Sequence, residues 1–108
     1  MIYLASPYSS KFKDEEHKRY LETMRYVSVL MNKGFHIFSP IVHCHPIALS
    51  YGLPTDYTFW QSYDEAMIKA CQEFWILKLY GWENSKGVLA ETKYAQSLDK
   101  PIFYVEVE

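Results

Sequence analysis

Phe74-Trp-Ile-Leu-Lys-Leu79, followed by Gly81-Trp-Glu-Asn-Ser85-Lys-Gly87-Val-Leu-Ala-Glu91, decides how this chain folds. The first six residues have the length and apolar composition of a buried strand. A helix-like stretch continues to near Leu98, Asp99-Lys100-Pro101 breaks it, and a second strand follows from Ile102 to Val107. Ser85 and Gly87 therefore fall where a helix starts at the carboxyl end of a strand, which is where open α/β sheets take their ligands. The free N–H groups of such a helix start suit an anion such as phosphate. Gly87 and Glu91 are four residues apart and share a helix face, so the missing side chain at Gly87 leaves space above the Glu91 carboxylate. A carboxylate under an open patch, beside an anion-binding turn, is suited to attack a sugar phosphate. The plainer alternative is an exposed helix Glu. Against it, Gly87, Ala90 and Ala95 surround Glu91 with small residues, as in a helix packed close to a sheet or a ligand.

Upstream, Ile2 to Ala5 reads as a short buried strand ended by Ser6-Pro7. Asp14 to Lys33 reads as a helix, with Tyr20, Met24, Val27 and Met31 on one apolar face and Gly34 as its C-terminal stop. Phe35 to Phe38 is a second strand, stopped by Ser39-Pro40. A helix between two short apolar strands is a βαβ unit with a right-handed crossover. Residues 39 to about 56 read as irregular, punctuated by Pro40, Pro46, Gly52 and Pro54, with room for a short helical turn around 46–51. So long a connection in a compact domain is usually functional. Thr58 to Cys71 is a further helix. The expectation is one α/β domain over residues 1–108, a small doubly wound, Rossmann- or flavodoxin-like sheet. It has about four parallel strands in the order 2-1-3-4 and three main helices.

The 108 residues, 49% of them hydrophobic, suit one folded domain with a single core. No apolar run approaches the ~20 residues needed to span a bilayer, so no membrane partner is expected. The N-terminus lacks the basic flank of a signal peptide, and Cys44 and Cys71 form no motif spacing, so a cytoplasmic chain with reduced thiols is expected. A net charge of −2 with scattered Lys and Arg argues against a nucleic-acid polymer as partner. An aromatic content of 18% exceeds what a core this size needs. The surplus rings either line a cleft for a flat ligand or form a subunit interface, and a homo-oligomer is expected.

Asp64 is the leading second carboxylate, with Trp60 one turn away; paired carboxylates can divide nucleophilic and acid roles when their environments differ. The alternative is a solvent-facing Asp beside Glu65. The loop Ser6-Pro7-Tyr8-Ser9-Ser10-Lys11 leaves the first strand's carboxyl end and should face the same crevice as Ser85. Its hydroxyls and Lys11 suit phosphate, and Tyr8 suits a hydrogen bond to a carboxylate; an ordinary Ser/Pro turn is the alternative. His43 and His45 would project to one side of an extended segment, but no third ligand is fixed by spacing, and no metal site is expected. Phe59, Trp60 and Tyr63 suit either base stacking or core packing.

These features together resemble the nucleoside 2-deoxyribosyltransferase family and its short relatives, over nearly the whole chain. Met1-Ile-Tyr-Leu-Ala-Ser-Pro-Tyr8 resembles the family's opening strand and loop, commonly YLAGP followed by an aromatic. Asp64 falls where the family has an aspartate before the third strand. Gly87-Val-Leu-Ala-Glu-Thr-Lys-Tyr-Ala95 resembles its Gly-x-x-x-Glu-x-x-x-Ala helix, and Lys100-Pro101-Ile102 its entry to the last strand. The resemblance implies that Glu91 attacks the anomeric carbon of a nucleoside, releasing the base and holding the sugar until a base or water takes it. Asp64 is then the acid that helps the base leave or positions it, and Tyr8 orients Glu91. Ser6, Pro7, Ser9, Trp60, Ser85 and Gly87 bind the substrate, with no metal or organic cofactor. Ser85 stands where the classical transferases have aspartate and the deoxynucleoside 5′-monophosphate N-glycosidases have serine, which points to a phosphorylated substrate. Two features depart from that branch: the first loop lacks its glycine-rich run, and the sequence stops at Glu108 where relatives extend further. The other functions compatible with these residues are a non-catalytic nucleotide sensor, an NAD-type N-glycosidase and a purely structural oligomerising domain.

Overall fold

A computed structural model describes residues 1–107. β1 (Ile2–Ala5) is buried along its whole length, as a central strand of a parallel sheet must be. α1 (Lys13–Asn32) returns the chain to β2 (Ile37–Phe38) beside it. α2 (Pro40–Tyr51) and α3 (Tyr57–Ala70) then lead to β3 (Glu73–Leu77) on the other flank of β1. A short 3-10 turn (Trp82–Asn84) and α4 (Lys86–Ser97) lead to β4 (Ile102–Val105). All pairings are parallel, and the order is β2-β1-β3-β4, as the sequence predicts.

Successive strand residues face opposite sides, and this builds two cores from the same strands. Ile2, Leu4 and Leu77 pack on Tyr26, Val27 and Leu30 of α1. Tyr3, Ala5, Phe74 and Ile76 pack on Ile68 of α3 and on Val88 and Ala95 of α4. The connection from β1 runs outward toward β2 and that from β3 outward toward β4, so the strand order reverses between them. The carboxyl ends of β1 and β3 therefore open on the crevice typical of doubly wound folds.

Two expectations are corrected. Residues 40–51 form a full helix, a fourth main helix rather than an irregular connection. Ser39 caps it by accepting from the Val42 N–H, Pro40 occupies its first turn, and Gly52 closes it at φ 67°. Pro46 lies inside the helix and removes one backbone donor, a loss that these two strong ends and the surrounding packing outweigh. On α1 the buried stripe is Glu16, Thr23, Tyr26, Val27 and Leu30, whereas Met24 and Met31 are 40% and 54% exposed. Polar Thr23 is admitted because its hydroxyl donates to the Arg19 carbonyl at 2.8 Å. Among the described residues no helix is long and apolar enough to cross a membrane.

Leu30→Ala is expected to lower stability by about 2–5 kcal/mol through core cavity formation, and Met31→Ala by less than about 0.5 kcal/mol. Urea unfolding of the two variants measures both; equal losses would restore the methionine face.

Candidate functional site

Glu91 lies in the second turn of α4 and its side chain is buried at the crevice. α4 starts where it does because Ser85 caps it, accepting from the Val88 N–H at 3.2 Å. From β1, the Tyr3 hydroxyl donates to Glu91 Oε2 at 3.0 Å. Tyr3 is fully buried and its ring stacks on Phe74 at 5.5 Å, so this donor is held rigidly. From α3, the buried Asp64 carboxyl shares a hydrogen bond with Glu91. Asp64 Oδ1 itself has no hydrogen-bond partner.

Neither carboxyl takes part in a salt bridge among the described residues. Burial pushes Glu91 well above the usual carboxylate range, and the Asp64 charge and hydrogen bond push it further; only the Tyr3 hydroxyl pulls it down. Burial raises Asp64 to about 6, opposed by its hydrogen bond with Glu91. Two adjacent carboxyls without a cation cannot both ionise cheaply, so near neutrality the pair shares one proton. Near neutrality Asp64 is then the carboxylate and Glu91 the acid, and attack by Glu91 requires the proton to pass to Asp64.

The pair lies in the wall of a cavity of about 610 Å³, a volume typical of small-molecule sites. Ser6, Tyr8, Ser9, Trp60, Asp64, Ser85, Gly87 and Glu91 all line it, brought together from both ends of the chain. Pro40, Ile41 and Ala48 of α2 give it an apolar wall. Polar groups sit on the rim. The Ser9 hydroxyl donates to the Thr55 carbonyl at 2.8 Å, and the Trp60 indole N–H donates to the Pro54 carbonyl at 2.8 Å. Both bonds tie the crevice to the 52–56 connection.

Several sequence assignments change. Tyr8 does not orient Glu91: its hydroxyl shares a hydrogen bond with His45 Nδ1, and Tyr3 holds the carboxylate instead. Side-chain period decides this, because Tyr3 and Ala5 face α4 while the loop turns Tyr8 toward α2. Pro7 is fully buried and is not part of the cavity wall; it supports the turn rather than a ligand. Lys11 is exposed and also lies outside the wall. The space left by Gly87 is bounded by an aromatic ring, since a Cβ there would meet Tyr57 Cδ1 at 3.5 Å. His43 and His45 diverge, because two residues on a helix differ by about 200°. His43 stacks on Tyr63 at 5.7 Å, and buried His45 contacts Tyr8 and His17.

Tyr3, Arg19 and Tyr57 were missed. Tyr3 had a signal, a polar-tipped ring inside an otherwise apolar central strand. Arg19 fixes the first loop by donating from Nη1 to the carbonyls of Tyr8 (3.1 Å) and Ser9 (2.9 Å), and it reaches the cavity only through the tertiary fold. Tyr57, at the start of α3, reaches Gly87 only once α3 and α4 are packed together.

Because both carboxyls have raised folded pKa values, their contribution to stability is complete below the ordinary carboxylate range. It declines as pH rises through about 6, where Asp64 ionises. Buried His45, lowered chiefly by burial and next by His17, acts in the opposite sense and loses stability as pH falls. Asp64→Asn isolates the pair: the difference in melting temperature between this variant and wild type should grow in the variant's favour from pH 5 to pH 8. Parallel melting curves across that range would mean that the pair is not coupled.

No curated protein matches the sequence. A family model described as a domain of unknown function, DUF1937, matches residues 1–107. With that match spanning nearly its whole length, the chain belongs to the DUF1937 family.

Proposed function

We propose that this protein cleaves or transfers at the N-glycosidic bond of a nucleoside or its 5′-monophosphate, with Glu91 as nucleophile. The observation that carries the reading is the Glu91–Asp64 pair, two buried and adjacent carboxyls in the wall of a ligand-sized cavity. Glu91 attacks the anomeric carbon while Asp64 delivers the proton to the departing base, and a second base or water then releases the sugar. Tyr3 steadies the attacking carboxylate through its hydrogen bond. The apolar wall and Trp60 suit a flat base, while Ser85 and the start of α4 suit the 5′-phosphate. This route uses only these side chains. The resemblance to the nucleoside 2-deoxyribosyltransferases supports the same assignment. Exposed Phe35, Phe103 and Tyr104 support a homo-oligomer, and the buried free thiols of Cys44 and Cys71 fit a cytoplasmic setting.

A non-catalytic nucleotide-binding module is the rival reading, favoured by the strong tendency of Glu91 itself to retain a proton. Chromatographic detection of free base separates the two. Glu91→Gln keeps the shape and removes the anion, so base release should fall about a thousandfold, ~4 kcal/mol, with nucleotide binding retained. Unchanged turnover would remove the nucleophile; ligand binding without base release in wild type would leave the sensor.

Ser85 gives a separate test because its side chain also caps α4. Ser85→Ala should cost about 1 kcal/mol of stability as well as phosphate affinity. Ser85→Asp keeps the cap but places a negative charge at the helix start, so calorimetry should show monophosphate binding weakened at least tenfold with nucleoside binding unchanged. Equal effects on both ligands would remove the phosphate assignment.

A further inference from the structure

Among the described residues, half-buried Tyr57 carries a buried hydroxyl at the crevice that the mechanism above leaves idle. Its hydroxyl is shielded from solvent and has no hydrogen-bond partner, as is also true of Asp64 Oδ1. A buried phenol without a partner is uncommon, because the hydroxyl forfeits its bonds to water and gains none in return. Nothing in the packing demands a hydroxyl there. The ring lies 3.5 Å from where a Cβ on Gly87 would stand, a place that a phenylalanine ring would fill equally well. The hydroxyl nevertheless lies close enough to feel the charges of Glu91, Glu65 and Asp64, with Glu91 foremost. Burial raises the phenol strongly, so it stays a neutral donor throughout the physiological range.

The titratable groups facing Glu91 come from three elements. Tyr3 on β1 donates to Oε2. Asp64 on α3 shares the proton, with Tyr57 on the same helix. Cys44 on α2 is a neutral thiol, pushed up to about 12 by burial and then by Asp64 and Glu91. Of the two hydroxyls, that of Tyr3 is committed to Glu91, and that of Tyr57 has no partner among the described residues.

We propose that Tyr57 is a positioning residue whose hydroxyl turns onto the Glu91 carboxylate and moves the shared proton to Asp64. The step is a proton transfer alone: the O–H bond on Glu91 breaks, an O–H bond forms on Asp64, and the net charge of the pair stays at one negative. Two phenols, Tyr3 and Tyr57, then hold the charge on Glu91, while the proton rests on the residue that must give it to the leaving group. Gly87 presents no side chain to the Tyr57 ring, and Tyr57 and Glu91 line the same cavity, so the ring has room to turn toward the carboxylate.

The inference concerns the same carboxyl pair, and it rests on the glycosidic reading only for its kinetic consequence. The deciding test therefore needs no substrate. Carbon-detected NMR follows the side-chain carboxyls of ¹³C-labelled wild type, Tyr57→Phe and Tyr3→Phe from pH 4 to pH 9. Loss of a donor to a carboxylate raises its titration, so Tyr57→Phe should shift the apparent titration of the pair upward by about one pH unit, as should Tyr3→Phe. A Tyr57→Phe curve superimposable on wild type, beside a shifted Tyr3→Phe curve, overturns the proposal. At pH 4, where both carboxyls are protonated and the hydroxyl has no anion to hold, the melting temperature of Tyr57→Phe should match wild type, which separates this effect from damage to the fold. In the kinetic arm, the acidic limb of base release should move upward with the titration, kcat should drop and KM should stay within about twofold. If wild type releases no base, the glycosidic reading falls, while the carboxyl titration still decides the role of Tyr57.

Discussion

Burial of the Glu91 carboxyl against Asp64 is the constraint on which the crevice depends. A carboxylate removed from water must find a proton, a cation or a set of donors. Here it finds a second carboxyl and the hydroxyl of Tyr3. That solution works only if β1, α3 and α4 are held in fixed relation. The sheet order provides this by seating β1 beside β3, with α3 and α4 packed on one face of both. Tyr3 cannot be moved to relieve the pair, since its ring is locked between Phe38 and Phe74.

A second buried carboxylate organises the opposite side of the crevice in a different way. Glu16 of α1 is 1% exposed, yet it receives the backbone N–H of Ser10 and the hydroxyl of Thr55 and stands beside Lys13. Satisfied by donors, it acts as a structural clasp that joins the first loop to the connection before α3. Arg19 and Ser9 reinforce the same junction. The contrast between the two acids is chemical. Glu16 is surrounded by N–H and O–H donors, whereas Glu91 faces another acid and keeps a proton. The Glu91–Asp64 arrangement is poised to change protonation near neutral pH.

Much of this was legible from residue order. Short apolar strands separated by helical stretches predicted the sheet and its order, and the Ser85–Glu91 spacing predicted both a capped helix and a carboxylate on its inner face. Asp64 and Glu91 were identified as a pair, though nothing in their spacing required them to meet. The helix at 40–51 was hidden by Pro46, although Ser39-Pro40 at its start and Gly52 at its end were both helix signals. The exposed Met24 and Met31 show the limit of hydrophobicity as a guide: which face of α1 is buried depends on the sheet beneath it and on partners available to Glu16 and Thr23.

The sequence by itself determined the parallel α/β class, the strand order and the position of Glu91 at a strand's carboxyl end, because side-chain periodicity and turn chemistry are local properties. Only the tertiary structure decided which tyrosine serves Glu91, that Asp64 lies beside it, and that Tyr57 lines the same cavity with an unpartnered hydroxyl. Those relations join β1, α3 and α4 across as many as 88 positions of the chain. Protonation follows from burial and from neighbours brought together by packing, and no local pattern encodes either.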